Sequence, residues 1–189
     1  MKIEIDPRFP NDDGKKQRAW VKGAEIRGDT ASERVLRVLE ERSFLDGKIE
    51  VTEKNSQEDM VGYDMFIPMR ESLLNILSIR SKRKGVPVQV KSSDHAVRQF
   101  LNTHGIYKQE RLIFRNGDYI FTFNGQYASD LIVADMVGQM LVLASGKMDE
   151  PAFLTYLAEV EEDKAAVERW IENREIILDS WWYRELLVR

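Results

Sequence analysis

Val86-Pro87-Val88-Gln89-Val90-Lys91 alternates apolar and polar residues with a period of two, the signature of a strand. Val86, Val88 and Val90 fall on one face, Gln89 and Lys91 on the other, and Pro87 marks the beginning of a strand or an edge. Upstream, Val61 to Met69 has the same period. It sets Tyr63, Met65, Ile67 and Met69 on one face against Asp64, Phe66 and Pro68 on the other. Asp is depleted from strands, so Asp64 is a carboxylate in an unfavoured setting. Lys48 to Glu53 alternates as well and makes a third strand, with Lys54 to Asp59 as the turn between.

Helical signals surround these strands. Thr30-Ala31-Ser32-Glu33 is a capping-box pattern, and Val35, Leu36, Val38 and Leu39 follow at helical spacing, which predicts a first helix over about Ala31 to Arg42. Arg70 to Gly85 reads as a short helix or loop excursion with a basic tip. Ser92-Ser93-Asp94 offers N-caps for a helix over about Asp94 to Asn102, ended by Gly105. Arg111 to Arg115, Asn116-Gly117 and Asp118 to Phe123 read as a hairpin, because Asn-Gly suits a type I′ turn. Ser129 to Ala144 is expected to be a buried helix. After Gly146 the pattern is helical again, over Ala152 to Glu161 and Lys164 to Leu187.

The expected class is therefore α/β (α+β): a central mixed sheet flanked by helices, with a leader or irregular edge at 1–29, a core at 30–146 and a helical appendage at 147–189. A chain of 189 residues, 43% hydrophobic and 32% charged, is ample for a hydrophobic core and too apolar for disorder. The absence of cysteine excludes disulfides, thiolate metal sites and thiol nucleophiles. Two histidines, His95 and His104, leave little room for His-rich zinc chemistry. Met1 to Pro10 is charged rather than apolar, which gives an expected cytoplasmic location. Leu131 to Ala144, interrupted by Asp135 and Gln139, is too short for a membrane span.

The net charge of −4 hides an uneven distribution. Nine Lys or Arg between Arg80 and Arg115 face only Asp94 and Glu110, whereas Glu150 to Asp179 carries nine acids against Lys164, Arg169 and Arg174. One part of the chain suits an anionic partner and the other repels it. Arg80, Lys82, Arg83, Lys84 and Arg98 are the candidate phosphate contacts, although a basic loop is often only a solvated turn. Trp170, Trp181, Trp182 and Tyr183 read as a packing seam between helices or protomers, since acids surround them.

Asp64, Gln89 and Lys91 together carry a chemistry. Phosphodiester hydrolysis needs a divalent cation held by a few oxygen ligands with positions left open for water and phosphate. Adjacent strands bring a carboxylate, an amide oxygen and an ammonium into one cluster, with the Val90 carbonyl as a further hard oxygen donor. An ammonium there holds or polarises the attacking water and neutralises charge on the phosphate. The blander reading makes Gln89 and Lys91 the solvent face of an ordinary strand, and Glu33 the return half of the capping box with Thr30.

At these residues the chain resembles the PD-(D/E)XK nuclease superfamily, with its restriction-endonuclease-like fold, in which an acid on one strand precedes Glu-x-Lys or Gln-x-Lys on the next. Gly62-Tyr63-Asp64-Met65 with Val88-Gln89-Val90-Lys91 is similar to the Gly-x-Asp and Gln-x-Lys variant of Mrr-like endonucleases. The resemblance spans about Ala31 to Phe123 and rests also on the helix before and the helix after. It implies a DNA endonuclease using Mg²⁺ or Mn²⁺, with Asp64, Gln89, Val90 and Glu33 at the metal and Lys91 as the catalytic cation. Two features depart from that pattern: a long spacing from Asp64 to Gln89, and Gln in place of the commoner Glu. The competing expectation is a non-catalytic protein-interaction module on the same fold, associating with a partner or a second copy through the C-terminal helices. The remaining alternative is an unrelated small-ligand module.

Overall fold

The computed structural model describes residues 30–60, 62–79, 85–108, 111–114 and 119–179, with backbone alone for residues 60, 102, 104–108 and 111–114. The fold is mixed: seven helices and a four-stranded sheet stand among the described residues, with a separate two-stranded ribbon. In chain order the elements are α1 (30–40), β1 (Glu50–Val51), α2 (Gln57–Met60), β2 (Met65–Ile67), α3 (Glu71–Leu77) and β3 (Val86–Lys91). They continue as α4 (Asp94–His104), β4 (Gly105–Lys108), β5 (Arg111–Phe114), β6 (Phe121–Asn124), α5 (Ser129–Ala144), α6 (Glu150–Glu159) and α7 (Lys164–Leu178).

The sheet order is β1-β2-β3-β6. Antiparallel pairing joins β1 to β2 and β2 to β3, and β6 runs parallel to β3. A parallel pair needs a crossover, and α4 lies in it. Gly85, at φ +131°, lets the chain enter β3 against the backbone of Ile67, where an added Cβ would stand 2.2 Å from the Ile67 carbonyl oxygen.

Each face of β3 is covered. Val86, Val88 and Val90 join Met65, Ile67, Phe121 and Phe123 in the main core, with Val35 and Leu39 of α1, Leu73 and Leu77 of α3, and Met136 and Met140 of α5. Tyr63, Val97, Phe100, Leu101 and Ile120 form a second, smaller cluster with Phe66, built largely on α4. Burying such a side chain contributes about 1.5–3 kcal/mol each, so the sheet is held from both sides. Phe153, Leu157, Ala166, Trp170 and Ile177 of α6 and α7 belong to the main core as well.

The turn between α6 and α7 is anchored by polar contacts. Glu161, fully buried, accepts from Ser72 Oγ at 2.9 Å and from Tyr156, and pairs with Arg70 at 3.4 Å. Asp163 caps α7 by accepting from the Ala166 N–H and pairs with Arg42 at 3.3 Å.

Two polar groups of α5 are buried for a visible reason. The carboxamide of Gln139 lies along β6, accepting from the Thr122 N–H at 3.2 Å and donating to the Thr122 carbonyl at 3.0 Å. The Tyr119 hydroxyl also donates to Gln139, at 3.3 Å, and Gln139 donates weakly to Asp135. Gln139 thus acts as an extra half-strand beside β6, on the side away from β3.

Several sequence expectations are corrected. Residues 111–114 do not form a hairpin with the segment ending at Phe123: β5 pairs with β4, and β6 pairs with β3. Phe121 and Phe123 gain full burial on the sheet, which outweighs the local Asn-Gly preference; Asn116 and Gly117 lie outside the described residues. Helix α4 ends at Gly105 as expected but runs two residues past Asn102, to His104, and Gly105 then opens β4 directly. The segment read as a turn at 54–59 contains the start of α2. The Val61–Met69 strand contracts to Met65–Ile67, and Tyr63 packs with Phe66 against α4 rather than with Met65. Its cause is the turn after α2, where Gly62 has φ +91° and regular alternation has yet to begin. In α7 the helix ends at Leu178 with Asp179 as its C-cap, short of Leu187; residues 180–189 lie outside the described set.

Candidate metal-dependent site

Asp64 is fixed before its side chain is considered. Its carbonyl accepts from the Thr52 N–H at 2.9 Å and its own N–H donates to Val88 at 2.8 Å, so its backbone is clamped between the β1 and β3 sides of the sheet. The carboxylate then reaches β3. Its Oδ2 accepts from the Val90 N–H at 2.5 Å and from the Gln89 side-chain amide.

Gln89 is 3% exposed, on the α4 side of the sheet, so it is not on a solvent face. Its Nε2 donates to Asp64 and, at 3.2 Å, to the carbonyl of Val90. Its Oε1 is buried without a hydrogen-bond partner and faces Gly62, where an added Cβ would come within 2.8 Å of it. An unsatisfied buried amide oxygen is costly, about 1–3 kcal/mol, and calls for a reason.

Lys91 is half-buried, its ammonium 4.8 Å from the centroid of the Phe100 ring. Burial pulls its pKa down from the ordinary lysine value, and the charge of Asp64 opposes that fall. Burial likewise pushes the Asp64 carboxyl above the usual carboxylate value. The Val90 N–H, Lys91 and Gln89 pull it back, while the neighbouring Asp59 adds to the rise.

The carboxyl ends of β3 and β6 extend this polar group. Lys91 and Asn124 are partners in register, and the Gly125 N–H donates to the Lys91 carbonyl at 2.8 Å. Asn124 Nδ2 and the Tyr127 hydroxyl both donate to Asp94 Oδ1, each at 2.7 Å. Burial and the Asp94 carboxylate push the Tyr127 hydroxyl well above its ordinary pKa, so it remains a donor. Asp59, Asn124 and Tyr127 were missed by sequence reasoning, and Asp94 entered it only as a cap. The available signal for Asn124 was a polar residue at the carboxyl end of a strand, where open α/β sheets place ligands.

The sequence candidates are distributed as follows. Asp64, Gln89 and Val90 form one hydrogen-bonded group with Lys91 beside it. Glu33 is exposed on α1, whose first turns lie near this end of the sheet: Arg34 donates to the Gly125 and Gln126 carbonyls at 3.3 and 3.4 Å. None of the bonds described at Asp64 or Gln89 involves Glu33. Arg98 and His95 are exposed on α4. Arg80, Lys82, Arg83 and Lys84 lie outside the described residues.

By chemical type the donors suit a hard cation, although the Gln89 N–H₂ stands between Asp64 and the Val90 carbonyl and the amide oxygen is turned towards Gly62. A carboxylate, a backbone carbonyl and an amide oxygen lacking a partner are oxygen ligands of the kind Mg²⁺ and Mn²⁺ take. Among the described residues no cluster of three or more His, Cys, Asp or Glu side chains stands ready for a metal, so neutral oxygens and water would complete the coordination. None of the described helices is long and apolar enough to cross a membrane. Comparison of the chain with protein-family models, with curated proteins and with solved structures finds no match.

Proposed function

We propose that the protein is a restriction-endonuclease-like, metal-dependent enzyme that hydrolyses phosphodiester bonds in DNA. The observation that carries this reading is the bonded group of Asp64, Gln89 and Val90 with the Lys91 ammonium beside it, formed across the antiparallel β2–β3 seam. The order α1, three antiparallel strands, α4 and a parallel strand supports the resemblance to PD-(D/E)XK nucleases, because the acid precedes the Gln-x-Lys strand and helices stand on either side of the pair.

Asp64, the Val90 carbonyl and Gln89 would hold Mg²⁺ or Mn²⁺, which supplies Lewis acidity and a water of lowered pKa when bound. Lys91, half-buried and held over Phe100, presents its charge to the phosphate without the long search of a solvated lysine. Glu33, near the same end of the sheet, completes the set as an outlying acid. The basic segment Arg80 to Lys84 and Arg98 contact the phosphate backbone, and a cytoplasmic setting goes with this reading.

The test is cleavage of plasmid, linear duplex and junction DNA with Mg²⁺ or Mn²⁺. Asp64→Ala and Lys91→Ala should each abolish cleavage in a chain that still folds, as circular dichroism checks; Asp64→Ala also leaves the Val90 N–H and the Gln89 amide without their acceptor and lowers Tm. Glu33→Gln should be milder. Full cleavage by Asp64→Ala sinks the proposal. A second reading has its own support: Gln89 in place of an acid, no three-acid cluster among the described residues and the acidic helices favour a non-catalytic interaction module on the same fold, associating through α6 and α7. No cleavage by a well-folded wild type across these substrates and metals favours that module.

A further inference from the structure

The two hydrogens of the Gln89 carboxamide go to two oxygens, Asp64 Oδ2 and the Val90 carbonyl. Both oxygens are hard donors on the seam between β2 and β3, and the amide nitrogen lies between them. A partly positive N–H₂ group bridging a carboxylate and a carbonyl does electrostatically what a small cation does in the same place. The other end of the amide is left with nothing: Oε1 is buried, lacks a partner and rests in the notch above Gly62, which exists because Gly62 has no side chain.

We propose that Gln89 is a built-in stand-in for a divalent cation: in the cation-free protein its N–H₂ bridges Asp64 and Val90, and on cation binding the amide turns over and Oε1 becomes a ligand. The idea rests on the metal-dependent reading above and adds to it how the site is governed. A half-turn of the terminal torsion exchanges Nε2 and Oε1 with little displacement of the stem, and such torsions are broad and nearly two-fold. The turn brings the unsatisfied oxygen to the cation and replaces two hydrogen bonds with coordination, while the N–H₂ moves into the notch beside Gly62 and the Phe100 ring, so the cation's binding energy must also cover the loss of those two bonds. Without a cation the turned state is unfavourable, because Oε1 then faces Asp64 oxygen to oxygen. The cation must therefore displace a bonded group before it binds, which weakens its apparent affinity and keeps the cation-free site closed on itself. A glutamate at position 89 lacks the donor and cannot stand in. That gives a physical reason for glutamine.

The experiment uses the full chain and follows the Gln89 side-chain N–H₂ pair by NMR, assigned by its loss in Gln89→Glu, together with the Asp64 carboxyl carbon, during titration with Mg²⁺. Without cation the N–H₂ protons should exchange slowly with water. With Mg²⁺ they should shift and exchange faster, saturating together with the Asp64 signal. Gln89→Glu should lower Tm without cation, show a larger Tm gain with Mg²⁺ and bind Mg²⁺ at least about tenfold more tightly, since affinity follows ligand charge. If Asp64 responds to Mg²⁺ and DNA is still cleaved, but the Gln89 pair neither shifts nor exchanges faster, the stand-in idea is overturned and the enzyme reading survives. If neither Asp64 nor Gln89 responds to Mg²⁺ or Mn²⁺ and no DNA is cleaved, both fall.

Discussion

The main-chain N–H of Val90 donates to the carboxylate of Asp64 at 2.5 Å, so a side chain that begins on one strand is fastened to the backbone of the next. The same carboxylate is partly desolvated, and burial outweighs its donors in setting its pKa above the usual 3.8. An acid whose folded pKa is raised lowers stability wherever it is ionised in both states. Asp64→Asn should therefore be more stable than the wild type at neutral pH without cation. The difference should shrink as pH falls through the raised pKa towards 3.8, below which both states of the wild type are protonated. Denaturant melts of both proteins across pH measure it. A difference independent of pH would show that the carboxylate is better solvated than its geometry implies. Mg²⁺ should raise the Tm of the wild type and leave Asp64→Asn much less affected.

Gln139→Leu keeps most of the volume and removes the bonds to Thr122. The Thr122 N–H and carbonyl, on the side of β6 away from β3, then lack partners, at about 1–3 kcal/mol each. A loss of at least about 2 kcal/mol in unfolding free energy is expected. A neutral substitution would mean that water reaches this side of β6.

Trp170→Ala should cost about 3–5 kcal/mol, since the side chain is 2% exposed, lies in the main core and donates to Glu150 at 3.0 Å. Arg169→Ala, one residue away and only partly covered, loses ion pairs to Asp130 and Glu172, but these stand in water and the substitution should be close to neutral. Deletion of 147–189 should unfold the protein, because it strips Phe153, Leu157 and Trp170 from the same core. Circular dichroism of the truncated chain decides that last point, and a folded truncation would contradict it.

Replacing Lys82, Arg83 and Lys84 together by alanine should weaken duplex DNA binding to a similar degree across sequences. The slope of log affinity against log salt should fall in magnitude by about 0.9 for each phosphate that is no longer neutralised. Binding measured from low to moderate salt gives the slope. An unchanged slope would leave this segment as a solvated loop.

What the sequence made legible followed from local rules. The period of two in Val86 to Lys91, the cap at Ser93 and the helical repeat of α5 all appear in the fold, since each is decided within a few residues. Asp64 and Gln89 were readable as a pair for the same reason: strand period sets a face, and neighbouring strands share it. Where pairing is decided at a distance, the sequence was mute or misleading. Asn116-Gly117 signalled a hairpin, yet Phe121 and Phe123 went to β3, about thirty residues back, because two phenylalanines find more burial there than in a ribbon. Tyr63 changed sides for want of regular strand before Met65. The unpartnered Oε1 of Gln89 and the Asp94–Asn124–Tyr127 contacts depend on how α4 and β6 meet, which no periodicity reports.

The Gln139 carboxamide on Thr122 has a consequence beyond stability. A sheet normally ends in a row of free amides and carbonyls that another chain can extend, and this is how folded proteins begin to polymerise. Here the rim of the sheet at β6 is interrupted at Thr122, whose N–H and carbonyl are taken by a helix of the same molecule. At the other rim stands β1, two exposed residues long and starting with the charged Glu50, too short to serve as a template. Extension of this four-stranded sheet by an added strand is therefore opposed at both of its rims, whereas the separate β4–β5 ribbon has no such protection among the described contacts.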